Sequence, residues 1–243
     1  MNAELTERTE AVRETGAAAG FTGAQCANET ADCAHAAPAA TAARTPSLYR
    51  SSYEHDACGI GALAHLKGQR SHAMLDDALS VLVNLEHRGG TGLERNTGDG
   101  AGVLFQIPHR FFRKEAQKYG HLLPGVGDYG VAMLFLPQDE QGINAGMRIF
   151  EEGCAQLGLP LLFWRDVPVD PRDLGATARA CMPTMKQAFL ARPESCPQGI
   201  EFERLLYVCR RTIEKRAHAS VELADKIFYV CSMSARTIVY KGM

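Results

Sequence analysis

Six apolar runs of strand length, separated by stretches whose apolar residues step by three and four, restrict this chain to a layered α+β fold. The runs are residues 59–66 (GIGALAHL), 102–107 (GVLFQI), 129–136 (YGVAMLFL), 161–164, 227–233 and 237–240. Each spans four to eight residues, the length of a single strand. Between them, Met74, Leu75, Ala78, Leu79, Leu82 and Leu85 follow Ser71, a residue type that caps helix N-termini. Ile143, Met147, Phe150, Cys154 and Leu157 predict a second helix, and Phe202, Leu205, Leu206, Cys209 and Ile213 a third. Arg210, Arg211, Lys215 and Arg216 fall near the end of the third helix, where cations complement the helix dipole, and read as a solvated face. Arg113, Lys114 and Lys118, after Phe111 and Phe112, form a basic amphipathic stretch that reads the same way. The last two strands run to Met243 with no capping element, so the final apolar ribbon is expected to lack a partner within this chain and the domain to be cut short.

The composition changes sharply near Tyr49. Residues 1 to 46 are rich in Ala, Thr and Gly, with Phe21 their only aromatic, and hold too little apolar surface to offset the entropy of ordering. Residues 1–57 are therefore expected to be a disordered leader, with at most a weak helix over 5–13, and residues 58–243 to be the domain. Lys and Arg number 26 against 28 Asp and Glu, with neither sign massed in one segment. That balance gives no electrostatic footprint for nucleic acid or an anionic membrane and points to a small-molecule partner. No apolar run approaches the roughly 18 residues that cross a bilayer. The first 14 residues carry four Glu and two Arg in place of a secretory signal, so a cytoplasmic location is expected. The eight cysteines form no C-x-x-C pair and do not cluster with histidines at zinc or iron–sulfur spacing, so no metal site is expected. Cys154, Cys181, Cys209 and Cys231 read as small buried hydrophobes.

Cys58 is different because it stands in His-Asp-Ala-Cys-Gly-Ile-Gly, at the junction of leader and domain. Within a chain it is an ordinary thiol. If the bond between Ala57 and Cys58 is cut, the thiol gains a neighbouring α-amino group whose pKa, about 7.7 to 8.0, suits a general base. His87-Arg88-Gly89-Gly90 follows at the end of the first predicted helix. Thr97-Gly98-Asp99-Gly100-Ala101-Gly102 then leads into a strand; its alternate glycines permit positive φ and close backbone approach, and Asp99 can tie down the turn. Because this spacing differs from G-x-G-x-x-G and follows a loop, a dinucleotide site is excluded.

With these motifs in order, residues 58–243 resemble the glutamine amidotransferase domain of class II, the N-terminal-nucleophile hydrolase type. Cys-Gly with His-Arg-Gly about thirty residues on is the shared feature. T-G-D-G-A-G, P-H-R-F-F, W-R-D-V-P at 164–168, F-Y-V-C-S-M-S and V-Y-K-G-M narrow the resemblance to glutamate synthase large subunits. The resemblance implies a four-layer α/β/β/α sandwich of two antiparallel sheets. It also implies that Cys58 attacks the side-chain amide of L-glutamine to give a γ-glutamyl thioester and ammonia. Arg88 and Gly89 would shape the pocket, and Asp99 would hold an adjacent loop. The family's H-Q-R-F-S-T-N and N-G-E segments, the latter carrying the Asn and Gly of the oxyanion hole, do not occur in these residues, so this stretch by itself is expected to be nearly inactive. In the whole enzyme, ammonia would reach 2-oxoglutarate at an FMN- and iron–sulfur-containing barrel in the remaining domains, supplied by an electron-donating partner. Two alternatives remain: another class II enzyme, such as amidophosphoribosyltransferase or glucosamine-6-phosphate synthase, or a non-catalytic binding module that retains its leader.

Overall fold

The computed structural model describes residues 59–242 apart from Thr91, Leu93 and Arg95. The expectations for the leader and for Cys58 lie outside the described residues.

The strand Tyr129–Leu136 (β2) organises the molecule. All eight of its residues are buried, the pattern of a strand covered on both faces. It pairs antiparallel with Thr184–Ala191 (β4) on one side and Tyr229–Ser234 (β5) on the other. Leu161–Asp166 (β3) completes the sheet beyond β4. Alternation then divides the side chains of β2. Ala132, Leu134 and Leu136 join Phe150, Cys154, Phe202, Leu206, Cys209 and Ile213 from the helices Glu140–Gln156 (α3) and Ile200–His218 (α5). Val131, Met133 and Phe135 face the opposite way, towards a two-stranded antiparallel sheet of Ala101–Gln106 (β1) and Thr237–Gly242 (β6). Helix His109–Lys118 (α2) plugs the space between the sheets with Phe112 and Ala116. Helix His72–Asn84 (α1), capped by the Ser71 hydroxyl, lies against β1 and completes the α/β/β/α order. The fold is thus the expected α+β arrangement of two antiparallel sheets with flanking helices.

Four local expectations change. Residues 59–66 form no strand: Ile60 and Leu66 are exposed, and the run lies across α1, where a Cβ on Gly61 would come within 2.3 Å of Val81 Cγ1. An apolar run becomes a strand only beside an edge that answers its N–H and C=O groups, and this run crosses a helix instead. The final ribbon does have a partner in the chain, because β6 pairs with β1 from Ala101↔Gly242 to Gln106↔Thr237. Its partner lies far back in the sequence, so adjacency along the chain could not disclose it. Cys154, Cys209 and Cys231 are buried as expected, but Cys181 is exposed at the end of the short helix Ala176–Cys181 (α4). Strand β4 and helix α4 were not expected at all.

The polar start of β4 has a partner network that explains its burial. Gln187 is fully buried; its Nε2 donates to the Tyr240 hydroxyl at 2.7 Å, and its Oε1 accepts from Arg165 Nη1 at 3.0 Å. Arg165, also buried, donates through Nη2 to Glu115 of α2 at 3.0 Å and lies over the Phe111 ring. The network fastens α2, β3, β4 and β6 together between the sheets. Truncating Glu115 to Ala strands a buried guanidinium and is expected to cost about 3 kcal/mol. The melting temperature should fall by roughly 6–12 °C, which thermal unfolding followed by circular dichroism will read. Hydrogen bonds from Lys118 and then Arg165 hold the Glu115 carboxyl below its ordinary range. Its contribution is therefore full above the unfolded carboxylate pKa and disappears as pH falls through the lower folded value.

Candidate active site

Helix α1 ends at Leu85, and a single 3-10 turn, Glu86–Arg88, follows. The Arg88 N–H donates to Leu85 O at 2.8 Å and the Gly89 N–H to Glu86 O at 3.0 Å. Gly89 then turns extended, with φ −86° and ψ 148°, and carries the chain away from the helix. Gly90 meets the second motif directly. Its N–H donates to Asp99 Oδ2 at 2.8 Å, and the Asp99 N–H donates back to Gly90 O at 2.9 Å. Two residues further, the Gly92 N–H donates to Thr97 O at 2.7 Å. The His-Arg-Gly-Gly segment and the Thr-Gly-Asp-Gly segment therefore run antiparallel, with Asp99 as the bolt between them.

The glycines that follow Asp99 serve close approach. A Cβ on Gly100 would lie 2.8 Å from Gly242 O, and one on Gly102 would lie 2.8 Å from Lys241 Cβ. Neither residue adopts the positive φ that the sequence allows. The loop is thus anchored at its exit by the β1–β6 ladder and at its entry by α1.

The described chain begins beside this loop. Gly59 packs against Leu85, where an added Cβ would be 3.0 Å from Cδ2. The residue following Cys58 thus touches the residue from which the His-Arg-Gly turn departs, while Cys58 itself lies outside the described residues. Arg88 and Asp99 are both exposed. Among the described residues the Arg88 guanidinium has no hydrogen-bond partner, whereas Asp99 is engaged as stated. The arrangement is an exposed, glycine-rich loop pair, with Arg88 at the turn that leads into it. Among the described residues no group of three or more His, Cys, Asp or Glu side chains could hold a metal ion.

Sequence reasoning missed Glu94. Its carboxylate accepts from Thr97 Oγ1 at 2.9 Å and, across the molecule, from the Thr177 N–H and hydroxyl at 3.2 Å each. The Thr177 N–H and then the Thr97 hydroxyl hold its carboxyl below the usual range. No local pattern signals this contact, because the partner lies on α4, an element the sequence did not disclose.

Residues 58–243 match the family of class-II glutamine amidotransferases. The chain is 42% identical over 196 residues to the glutamate synthase [NADPH] large chain of Bacillus subtilis (strain 168), covering 81% of this chain and 12% of that protein. It is 40% identical over 190 residues to the chloroplastic ferredoxin-dependent glutamate synthase of Oryza sativa subsp. japonica, covering 78% and 12%. With the glutamate synthase [NADH] of Schizosaccharomyces pombe it shares 35% identity over 199 residues, covering 82% and 9%. The chain thus spans only 9 to 12% of the length of these relatives. From its matched family and the fold that carries it, the chain belongs to the class-II glutamine amidotransferases, with a domain of the kind found in glutamate synthase large chains.

Proposed function

We propose that residues 58–243 are the glutamine-hydrolysing part of a glutamate synthase, with Cys58 as an N-terminal nucleophile. The observation that carries this reading is the closure of Gly90 on Asp99 beside Gly59, which gathers three separated sequence motifs at the end of α1. In the reaction, the free α-amino group of Cys58 takes the thiol proton as sulfur attacks the side-chain amide carbon of L-glutamine. Collapse of the tetrahedral intermediate returns that proton to the departing nitrogen, releasing ammonia and leaving a γ-glutamyl thioester. Water, deprotonated by the same amine, then hydrolyses the thioester to glutamate and restores the thiol. Gly89 and Gly90 line the pocket, Asp99 keeps their backbone in place, and Arg88 at the rim orders the pocket and its approach. The cytosol keeps such a thiol reduced.

The ammonia would pass to 2-oxoglutarate in the remaining domains of the synthase, where FMN and an iron–sulfur cluster would supply the reducing chemistry. The described cysteines do not fit a cluster: Cys154 and Cys209 face each other inside the α3–α5 core, with Sγ atoms 3.7 Å apart.

The test pairs N-terminal analysis with ammonia release from glutamine, in protein that joins these residues to the family's Asn-Gly-Glu segment. A chain that begins at Cys58 and releases ammonia supports the proposal. A chain that begins at Met1 and releases none supports the non-catalytic module. In the active protein, Arg88→Lys is expected to lower glutamine turnover at least about tenfold, equivalent to about 1.4 kcal/mol, because an ammonium cannot reproduce the planar five-donor fork. The melting temperature should stay nearly constant, since Arg88 is exposed.

A further inference from the structure

Between β3 and β4 the chain makes an excursion over residues 167–182 that adds no strand to either sheet. Its contacts are nonetheless specific. The Arg179 guanidinium donates to Pro171 O at 2.9 Å, drawing the excursion into a closed turn, and Gln138 Nε2 donates to Met182 O at 2.6 Å, tying its end to the exit of β2. What the closed turn presents outward is the N-terminus of α4, and its cap residue is Gly175, which has no side chain to satisfy the helix N–H groups. Glu94, from the loop between the two active-site motifs, fills that role by accepting from Thr177. The Gly175 N–H donates to Asn96 O at 2.8 Å, giving a second bond between the same two segments. The fit excludes any larger residue at 175: a Cβ there would come within 2.2 Å of Thr97 Oγ1 and 2.3 Å of Glu94 Oε2.

We propose that Glu94 is a positioning residue of the glutamine pocket, clasping the loop that follows Gly90 to α4 so that the excursion sets the loop's position. This rests on the function proposed above. The physical case is one of entropy. The ends of the loop are held by α1 and by the β1–β6 ladder, and Asp99 joins them to each other; a middle without an anchor of its own would have to be ordered by substrate on binding. Glu94 ties the middle of the loop to an element fixed independently by Arg179 and Gln138.

The test uses Glu94→Gln and Thr177→Val singly and together. Gln keeps the shape and one acceptor but loses the charge that favours the Thr177 N–H, and Val removes the hydroxyl while keeping the N–H. Hydrogen exchange of the Gly175 and Thr177 amides and of the Gly90 amide is followed in the full chain. Glutamine KM and kcat are measured in the active protein. Glu94→Gln is expected to speed exchange at both segments at least tenfold and to raise KM about tenfold while kcat changes less than twofold. Thr177→Val should act in the same direction, and the double variant should fall short of the product of the two. Unchanged exchange at Gly90 overturns the clasp. Faster exchange with an unchanged KM overturns the positioning role and leaves Glu94 a stability contact. If the parent protein releases no ammonia, the glutaminase reading fails on its own, and the positioning role fails with it even where exchange upholds the clasp.

Discussion

Replacing Cys58 by Ser is expected to reduce ammonia release from glutamine by at least about 10³-fold, or about 4 kcal/mol of transition-state stabilisation. The proposed chemistry asks one sulfur to form and then release a thioester. A hydroxyl near pH 7 is far less ionised and less nucleophilic than a thiol, so the amine of residue 58 would have to remove a much more tightly held proton. The loss should appear in kcat, with glutamine still bound, because the main-chain pocket around Gly89 and Gly90 is untouched. The fold should be indifferent to the change, since α1, β1 and the Asp99 bolt are held by contacts of their own. Steady-state kinetics with a coupled ammonia assay reads the effect directly. A variant retaining more than about a tenth of the parent rate would remove Cys58 from the mechanism.

The second large effect concerns the bond between Ala57 and Cys58. While it is intact, the nitrogen of Cys58 is an amide and offers no base near neutral pH; once cut, that nitrogen is an amine of pKa about 7.7 to 8.0. Ala57→Pro, chosen to resist cleavage, should therefore give a folded protein that keeps its leader by mass and releases no measurable ammonia. Turnover at the parent rate with the leader intact would show that the base comes from elsewhere.

The legible parts of the fold are those whose signal is local. β2 declared itself through eight consecutive apolar residues, because it is covered on both faces, and α1, α3 and α5 through their apolar stripes. β4 escaped because its opening Thr-Met-Lys-Gln reads as polar loop. Burying Gln187 is possible only with Arg165 and Tyr240 arriving from other strands, an arrangement no window of sequence contains. The pairing of β6 with β1 escaped for the same reason: it joins segments from opposite ends of the domain. The run 59–66 erred the other way, since its composition suits a strand but its position over α1 offers no ladder. At the site, Asp99 was legible as a turn-fixing residue, yet the atom it fixes is the Gly90 N–H in the neighbouring motif rather than one in its own turn. Glu94 was illegible because its role depends on α4.

The central claim, that residue 58 is the thiol that meets glutamine, is tested most directly by covalent capture. Active protein is treated with a diazo-ketone analogue of glutamine, and the adduct is located by intact and peptide mass. The account predicts a single adduct on a chain that begins at Cys58, protection by excess glutamine, and no modification of the five cysteines that follow it, including the exposed Cys181. An adduct centred on any other cysteine, or capture by a chain that still carries Ala57, would contradict it.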